Sequence, residues 1–192
     1  VLPPLHAFSM CYDENLKKVL IFGGRDSSNV HQNKLWGWDG HKWEEISTSN
    51  RPSPRRHPSM AYDESRSCVV MYGGTTAEGF SNELWEFDGL DWTQVHNENL
   101  NKISGHEMVY APMMNKVLIY GGNNYEESRR SDLWTWDGVN YEKLTDNGPG
   151  RSQCGFVYTQ NSIFLQFGGY YPNSDAKGNN ETWKLNLKER IT

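Results

Sequence analysis

The amino-acid sequence predicts an all-β protein made of four similar repeats, and three observations support this. Four short apolar segments each end in a Gly-Gly pair, and successive pairs lie 50, 48 and 47 residues apart. Tryptophans follow the pairs at intervals of 49 residues, at Trp36, Trp85, Trp134 and Trp183. No segment sustains the 3.6-residue period of an amphipathic helix. Periodicity of this length indicates a fold assembled from copies of one supersecondary unit.

Each repeat is expected to form four short strands, because β-branched and aromatic runs alternate with Gly, Asn and Asp. In the first repeat these strands lie near residues 6–12, at 19–22, at 35–39 and at 43–46. Asp39-Gly40 tolerates the positive φ angle of a tight turn, so it should join the third strand to the fourth. Asp88-Gly89 and Asp137-Gly138 recur at this place, whereas the fourth repeat has no such pair and its last strand is expected near 190–192.

The Gly-Gly pairs are expected where a strand ends against its neighbours and no Cβ can be accommodated. The tryptophans at 49-residue intervals would fill the wedge between one repeat and the next. Trp43, Trp92 and Tyr141, which begin the fourth strands, are better explained by packing than as a platform for stacking sugars.

The apolar run that ends in Gly-Gly, followed by spaced aromatics within about 50 residues, resembles the kelch repeat family over essentially the whole chain. The resemblance implies a β-propeller with four four-stranded antiparallel blades in a single domain, 1–192. The blades would span 1–50, 51–98, 99–147 and 148–192. Propellers have 4 to 8 blades, so three arrangements stay open: four blades that close alone, two chains that share an eight-blade ring, or part of a larger propeller.

The formal net charge of -5 and the pI near 5.7 argue against general nucleic-acid binding, because no broad positive field would attract phosphates. No segment approaches the roughly 18 apolar residues of a membrane helix, so we expect no membrane insertion. Cys11, Cys68 and Cys154 cannot all pair within one chain and lack metal-ligand spacing. Free thiols favour a cytoplasmic protein, although 180–182 would be a glycosylation acceptor in a secreted one.

The loops before the third strand and those between blades should emerge on one side of a propeller, the loop face, where binding usually resides. Arginine suits carboxylates and tyrosine supplies rigid contact area, so this face could bind an acidic peptide or an anionic sugar. The candidate binding residues are Arg25, His31, Arg55, Arg56, His57, His106, Tyr125, Arg129, Arg130, Arg151, Tyr170 and Tyr171. The alternative is that they are ordinary solvated loop residues. Arg55, Arg56, His57 and Arg151, which directly precede first strands, could equally belong to the scaffold.

Signatures of catalysis are missing from the sequence, including zinc-protease, phosphate-loop and nucleophile-elbow motifs, so we expect no catalytic residue, cofactor or metal. A copper-radical oxidase would need a cysteine cross-linked to a tyrosine, and neighbours in a strand such as Cys11 and Tyr12 point to opposite sides. The expected function is a scaffold that binds a protein or peptide partner, with a homodimer if four blades do not close. The alternative is a propeller that binds carbohydrate or isomerises sugars, like a sialic acid mutarotase.

Overall fold

The computed structural model describes residues 1–96, 98–125, 130–159, 163–170 and 181–186. Within these ranges the chain is all-β, with seventeen strands and no helix. Four of its sheets are small, antiparallel and consecutive along the chain, which is the arrangement of a four-blade β-propeller. The described part of the chain contains no helix with the length and apolar character required to cross a membrane.

The strands fall into one sheet for each sequence repeat. Sheet 1 contains β1 (Ser9–Asp13), β2 (Lys18–Phe22), β3 (Leu35–Trp38) and β4 (Trp43–Ile46). Sheet 2 contains β5 (Ser59–Asp63), β6 (Cys68–Tyr72), β9 (Leu84–Phe87) and β10 (Trp92–Val95). Between β6 and β9, the strands β7 (Thr75–Thr76) and β8 (Gly79–Phe80) form a separate hairpin. Sheet 3 contains β11 (Glu107–Ala111), β12 (Lys116–Tyr120), β13 (Leu133–Trp136) and β14 (Tyr141–Thr145). Sheet 4 contains β15 (Gly155–Thr159), β16 (Ile163–Phe167) and β17 (Thr182–Asn186).

Strand order within each sheet follows the chain, and every neighbouring pair is antiparallel. The strands expected from the sequence are therefore confirmed for the described residues. The predicted last strand of the fourth repeat lies outside them. One difference is the hairpin β7–β8, which occupies a segment expected to be irregular. Its turn is stabilised by the Thr76 hydroxyl, which accepts a hydrogen bond from the backbone N–H of Glu78 at 3.2 Å.

The Asp-Gly turns join the third and fourth strands as predicted. In the first turn the Asp39 carboxylate accepts hydrogen bonds from the backbone N–H groups of His41 and Lys42, at 2.8 and 2.9 Å. Gly40 has a φ angle of 98°, a conformation that side chains disfavour. The aspartate thus caps the turn while the glycine permits its geometry, and Asp88 and Asp137 accept equivalent bonds.

The chain divides into two compact units, Val1–Ser104 and Gly105–Thr192. In the first, side chains from sheets 1 and 2 form one apolar core. Trp92 is buried there, and its ring centroid lies 5.4 Å from that of Phe22 and 5.2 Å from that of Phe87. Trp85 belongs to the same core, so its predicted place between two blades is confirmed.

In the second unit, sheets 3 and 4 share another apolar core. Tyr120 stacks on Phe156 and Trp183, with ring centroids 5.3 and 5.6 Å apart. The Tyr120 hydroxyl donates to the backbone carbonyl of Pro149, so the buried ring keeps its polar atom paired. Trp183 thus lies between two blades, as predicted.

The first and third Gly-Gly pairs are joints that connect neighbouring blades. The backbone N–H of Gly24 donates to the carbonyl of Arg55, and that of Gly122 donates to the carbonyl of Arg151, each at 2.8 Å. A Cβ atom on Gly24, whose φ angle is 93°, would lie 2.8 Å from the carbonyl oxygen of His6. Only glycine permits this approach, which is the reason expected from the sequence.

Candidate anion-binding site

Backbone pairing in the first compact unit gathers several basic residues beside the first Gly-Gly joint. His6 and Arg25 exchange two backbone hydrogen bonds of 3.0 and 2.8 Å, and Arg25 also forms a β-bridge with His31. The N–H of His57 donates to the carbonyl of Ala7 at 2.7 Å. Three basic residues of the first blade are thereby placed close to the segment that leads into the second.

Arg56 completes this group, because its backbone exchanges hydrogen bonds of 3.0 and 2.8 Å with Thr75, immediately after the second Gly-Gly pair. The charges of the group act on one another: Arg56, Arg25, His6 and His31 all disfavour the protonated form of His57. We call this group the cationic cluster, and its members are His6, Arg25, His31, Arg56 and His57.

The nearest acidic residue in the sequence, Asp26, is engaged elsewhere. One of its carboxylate oxygens accepts hydrogen bonds from the backbone N–H groups of Ser28 and Val30, at 2.8 and 3.0 Å. The other accepts a bond of 2.8 Å from the side-chain amide of Gln32. The Asp26 carboxylate therefore stabilises the loop that follows Arg25, and both of its oxygens already accept hydrogen bonds.

The cationic cluster lacks counter-charges within the described part of the chain. No ion pair there involves Arg25 or Arg56, and the Nε atom of each is buried without a hydrogen-bond partner. Burial, together with Arg25, lowers the pKa of Arg56, although a guanidinium stays charged near neutral pH. Unpaired buried donors on two neighbouring cations favour an anion as ligand.

The histidines of the cluster respond to the same environment. Burial and the neighbouring cations lower the pKa of His57 to about 4, and burial followed by Arg25 and Arg56 lowers that of His31. His57 is therefore neutral at pH 7, so it offers hydrogen bonds without adding to the charge. A bound carboxylate would favour the protonated imidazoles, because it would supply the opposite charge that the cluster lacks.

A groove of about 460 Å³ adjoins the cationic cluster, and His31 lines both. Its wall combines the loop after Arg25, the segment before Arg55 and the turn of the hairpin β7–β8. The lining residues are Asn29, Val30, His31, Ser53, Pro54, Thr76, Ala77 and Glu78. Val30, Pro54 and Ala77 make much of this lining aliphatic, so the site offers an apolar surface next to positive charge.

Arg55 lies beside Arg56 in sequence but belongs to the interior of its blade, where it is fully buried. Its guanidinium donates to the carbonyl oxygens of Gly73 and Ser53, at 2.9 and 3.0 Å, and forms an ion pair with Glu83. Burial raises the pKa of Glu83, but hydrogen bonds from Arg55 and Trp85 outweigh this and hold the pKa below its usual value. Arg55 therefore secures the blade.

The second compact unit repeats this arrangement. Arg151 is buried, and one of its terminal nitrogens donates to Glu181 at 2.7 Å. Arg130 pairs with Asp132, which also accepts a hydrogen bond of 2.7 Å from the indole nitrogen of Trp134. Each of these arginines thus has an acidic partner, which is buried for Arg130 and exposed for Arg151.

The remaining sequence candidates are dispersed. His106 is buried, and desolvation lowers its pKa to about 3. Tyr125 and Tyr170 are exposed in the second compact unit. Arg129 and Tyr171 lie outside the described residues. Of the twelve candidates, the structure brings together Arg25, His31, Arg56 and His57.

Sequence reasoning missed two features of the site and one of the scaffold. His6 is not among the sequence candidates, yet it lowers the pKa of His57. The groove depends on the unpredicted hairpin β7–β8. An acidic residue stands two positions before a tryptophan in three repeats, at Glu83, Asp132 and Glu181. This spacing is visible in the sequence, and the three acidic residues pair with Arg55, Arg130 and Arg151.

Two features bear on the chemical alternatives. In the described part of the chain, no group of three or more His, Cys, Asp or Glu side chains is placed to hold a metal ion. Cys11 packs against the core while Tyr12 is exposed, so the two side chains point to opposite sides of β1 as expected. All three cysteines are free.

Comparison of the chain with models of protein families finds no match, and comparison with curated proteins finds none.

Proposed function

We propose that this protein is a kelch-type binding scaffold that recognises an acidic peptide segment of a protein partner at the cationic cluster. The observation that supports this is the pair of arginines, Arg25 and Arg56, whose buried Nε atoms have no hydrogen-bond partner among the described residues. The Gly-Gly repeats and four-stranded sheets support the kelch-type description.

A carboxylate is the ligand group that fits the cluster best. A guanidinium presents planar N–H donors that match two carboxylate oxygens, and charge-assisted hydrogen bonds are about twice as strong as neutral ones. Partial burial of Arg56 reduces screening by water, so each bond contributes more than at an open surface. His31 and His57 can donate further hydrogen bonds to the same ligand.

A peptide fits the surroundings of the cluster better than a sugar does. Sugars are commonly held by aromatic faces and many polar groups, whereas Val30, Pro54 and Ala77 give the adjoining groove aliphatic walls. These residues suit an amino-acid side chain next to the carboxylate. An anionic sugar at the cluster remains the alternative that the experiment must separate.

The test measures binding of a fluorescein-labelled peptide with two glutamates in a Gly/Ser background, the acidic probe, by fluorescence anisotropy. Arg25→Gln and Arg56→Gln should each weaken binding about tenfold, because each removes a charge-assisted bond of about 1.5 kcal/mol. Higher ionic strength should also weaken it. The melting temperature should not fall, since neither arginine has a paired acidic residue in the described structure.

Arg51→Gln is the matched control, because Arg51 is an exposed arginine of the same unit and takes no part in the cluster. It should leave the affinity unchanged. Equal weakening by all three variants would reduce the effect to net charge and contradict the proposal. The proposal also fails if N-acetylneuraminic acid binds with the same dependence on Arg25 and Arg56 while the acidic probe does not.

A further inference from the structure

We infer that the groove beside the cationic cluster holds an aliphatic side chain of the same acidic peptide, so that the motif recognised is an acidic residue followed closely by Leu, Ile or Val. This inference rests on the proposed function and specifies its ligand. It predicts that charge and apolar contact contribute separately to affinity.

The position of His31 connects the two parts of the site. The His31 backbone forms a β-bridge with Arg25, and the charges of Arg25 and Arg56 contribute to lowering the pKa of its side chain. The same residue lines the groove. A ligand whose carboxylate meets the arginines therefore has its neighbouring residues at the groove. Because side chains alternate along an extended peptide, residues two apart point the same way, about 7 Å from each other. One residue is therefore expected between the acidic and the apolar position.

Backbone hydrogen bonds hold the residues of the groove walls in place. Val30 is held by Asp26, which accepts its backbone N–H while the Val30 carbonyl accepts the N–H of Asp26 at 3.1 Å. Ala77 and Glu78 form the turn of the hairpin β7–β8, whose strands pair at Thr75 with Phe80 and at Thr76 with Gly79. The backbone therefore fixes an exposed valine opposite a small turn residue.

Charge complementarity selects an acidic, aliphatic peptide as the occupant. Val30 is more than half exposed, and no ion pair among the described residues involves Arg25 or Arg56. Glu78, the acidic residue of the groove lining, accepts a hydrogen bond of 3.0 Å from the Thr76 hydroxyl of its own hairpin. An uncharged apolar ligand would fill the groove but leave the arginines unpaired, and a basic one would be repelled by them. Only a segment that carries both groups satisfies the groove and the cluster together.

Peptide variants separate the two contributions. The acidic probe is compared with an acidic-leucine probe, which has leucine two residues after the second glutamate in place of serine, and with a neutral-leucine probe, in which glutamines replace the glutamates. The acidic-leucine probe should bind about tenfold more tightly than the acidic probe, the gain expected for partly burying one leucine. The neutral-leucine probe should bind most weakly.

Protein variants then locate the leucine. Val30→Ser should reduce affinity for the acidic-leucine probe to nearly that for the acidic probe, and should leave the acidic probe itself unaffected. Leu90→Ser is the matched control, because Leu90 is an exposed leucine in an Asp-Gly turn away from the groove. It should change neither affinity. Arg56→Gln should weaken both probes by the same factor.

Each outcome decides between the two ideas. If the acidic and acidic-leucine probes bind equally, or if Val30→Ser weakens both alike, the groove is not the aliphatic subsite and the inference is overturned while the proposed function stands. If affinity does not depend on the glutamates or on Arg56, the proposed function fails and the inference with it. Loss of folding in Val30→Ser would show as a lower melting temperature, and Ala77→Trp, which fills the groove from an exposed position, then provides the same test.

Discussion

Adjacent residues in this protein have opposite roles, as Arg55 and Arg56 show. Arg55 is buried and donates to the carbonyl of Gly73 and to Glu83, whereas Arg56 has a buried Nε without a partner among the described residues. Successive side chains of an extended segment point to opposite sides, so one arginine enters the blade and the other joins the cluster. Arg55 contributes stability, and Arg56 belongs to the cluster that we propose binds a ligand.

Replacing each arginine by glutamine should therefore separate stability from binding. Arg55→Gln leaves Glu83 without its cation, and we expect the free energy of unfolding to fall by about 3 kcal/mol, the low end for a broken buried pair because Glu83 is partly exposed. Arg56→Gln should change it by less than about 0.5 kcal/mol. Urea unfolding monitored by tryptophan fluorescence measures both. Similar losses for the two variants would show that Arg56 also belongs to the scaffold.

Among the structural elements, the Gly-Gly joint imposes the strictest demand on sequence. Gly24 and Gly40 have similar φ angles, 93° and 98°, so both disfavour a side chain. They differ in their surroundings: a Cβ on Gly24 would approach the His6 carbonyl oxygen, whereas one on Gly40 would meet nothing within 4 Å. Comparing the two glycines therefore separates the conformational cost of a side chain from the cost of its close contacts.

Alanine at these positions should reveal the difference. Gly40→Ala should lower the free energy of unfolding by about 1 to 2 kcal/mol, which is the conformational term alone. Gly24→Ala should lower it by about 1 to 3 kcal/mol more, because the joint must also shift to relieve the contact. Thermal unfolding of the two variants beside the parent measures this difference. Equal losses would mean that the joint has room for a Cβ.

The strands were predictable because their signals are local. β6 is a five-residue apolar run whose side chains are all buried, and the Asp-Gly turns specify their own geometry. The hairpin β7–β8 was not predictable, since it has two residues in each strand and no apolar alternation. The candidate site stays a prediction; the sequence placed Arg25, His31, Arg56 and His57 in loops, and the structure places them close together. That they have no acidic partner among the described residues depends on which backbone segments pair, and no single segment encodes that.

At the scale of the whole molecule, equivalent positions in different blades are covered to different extents. Met10 and Met60 occupy the same register position in sheets 1 and 2, opposite Ile21 and Met71. Met60 is 3% exposed within the core shared with sheet 1, whereas Met10 is 57% exposed. Phe167 in sheet 4 is 56% exposed, although its counterpart Phe22 in sheet 1 is buried. Sheets 1 and 4 thus each present apolar side chains of the kind that sheets 1 and 2 bury between them.

We expect these apolar residues to drive self-association of the chain. The mass measured by sedimentation equilibrium should exceed 22.1 kDa and should rise with protein concentration. Met10→Glu should return the mass toward that of a monomer, because a carboxylate cannot be buried cheaply against an apolar surface. Val139→Glu, at an exposed valine in an Asp-Gly turn, is the matched control and should have no effect. A mass of 22.1 kDa at every concentration would contradict this expectation and would mean that Met10 and Phe167 remain in water.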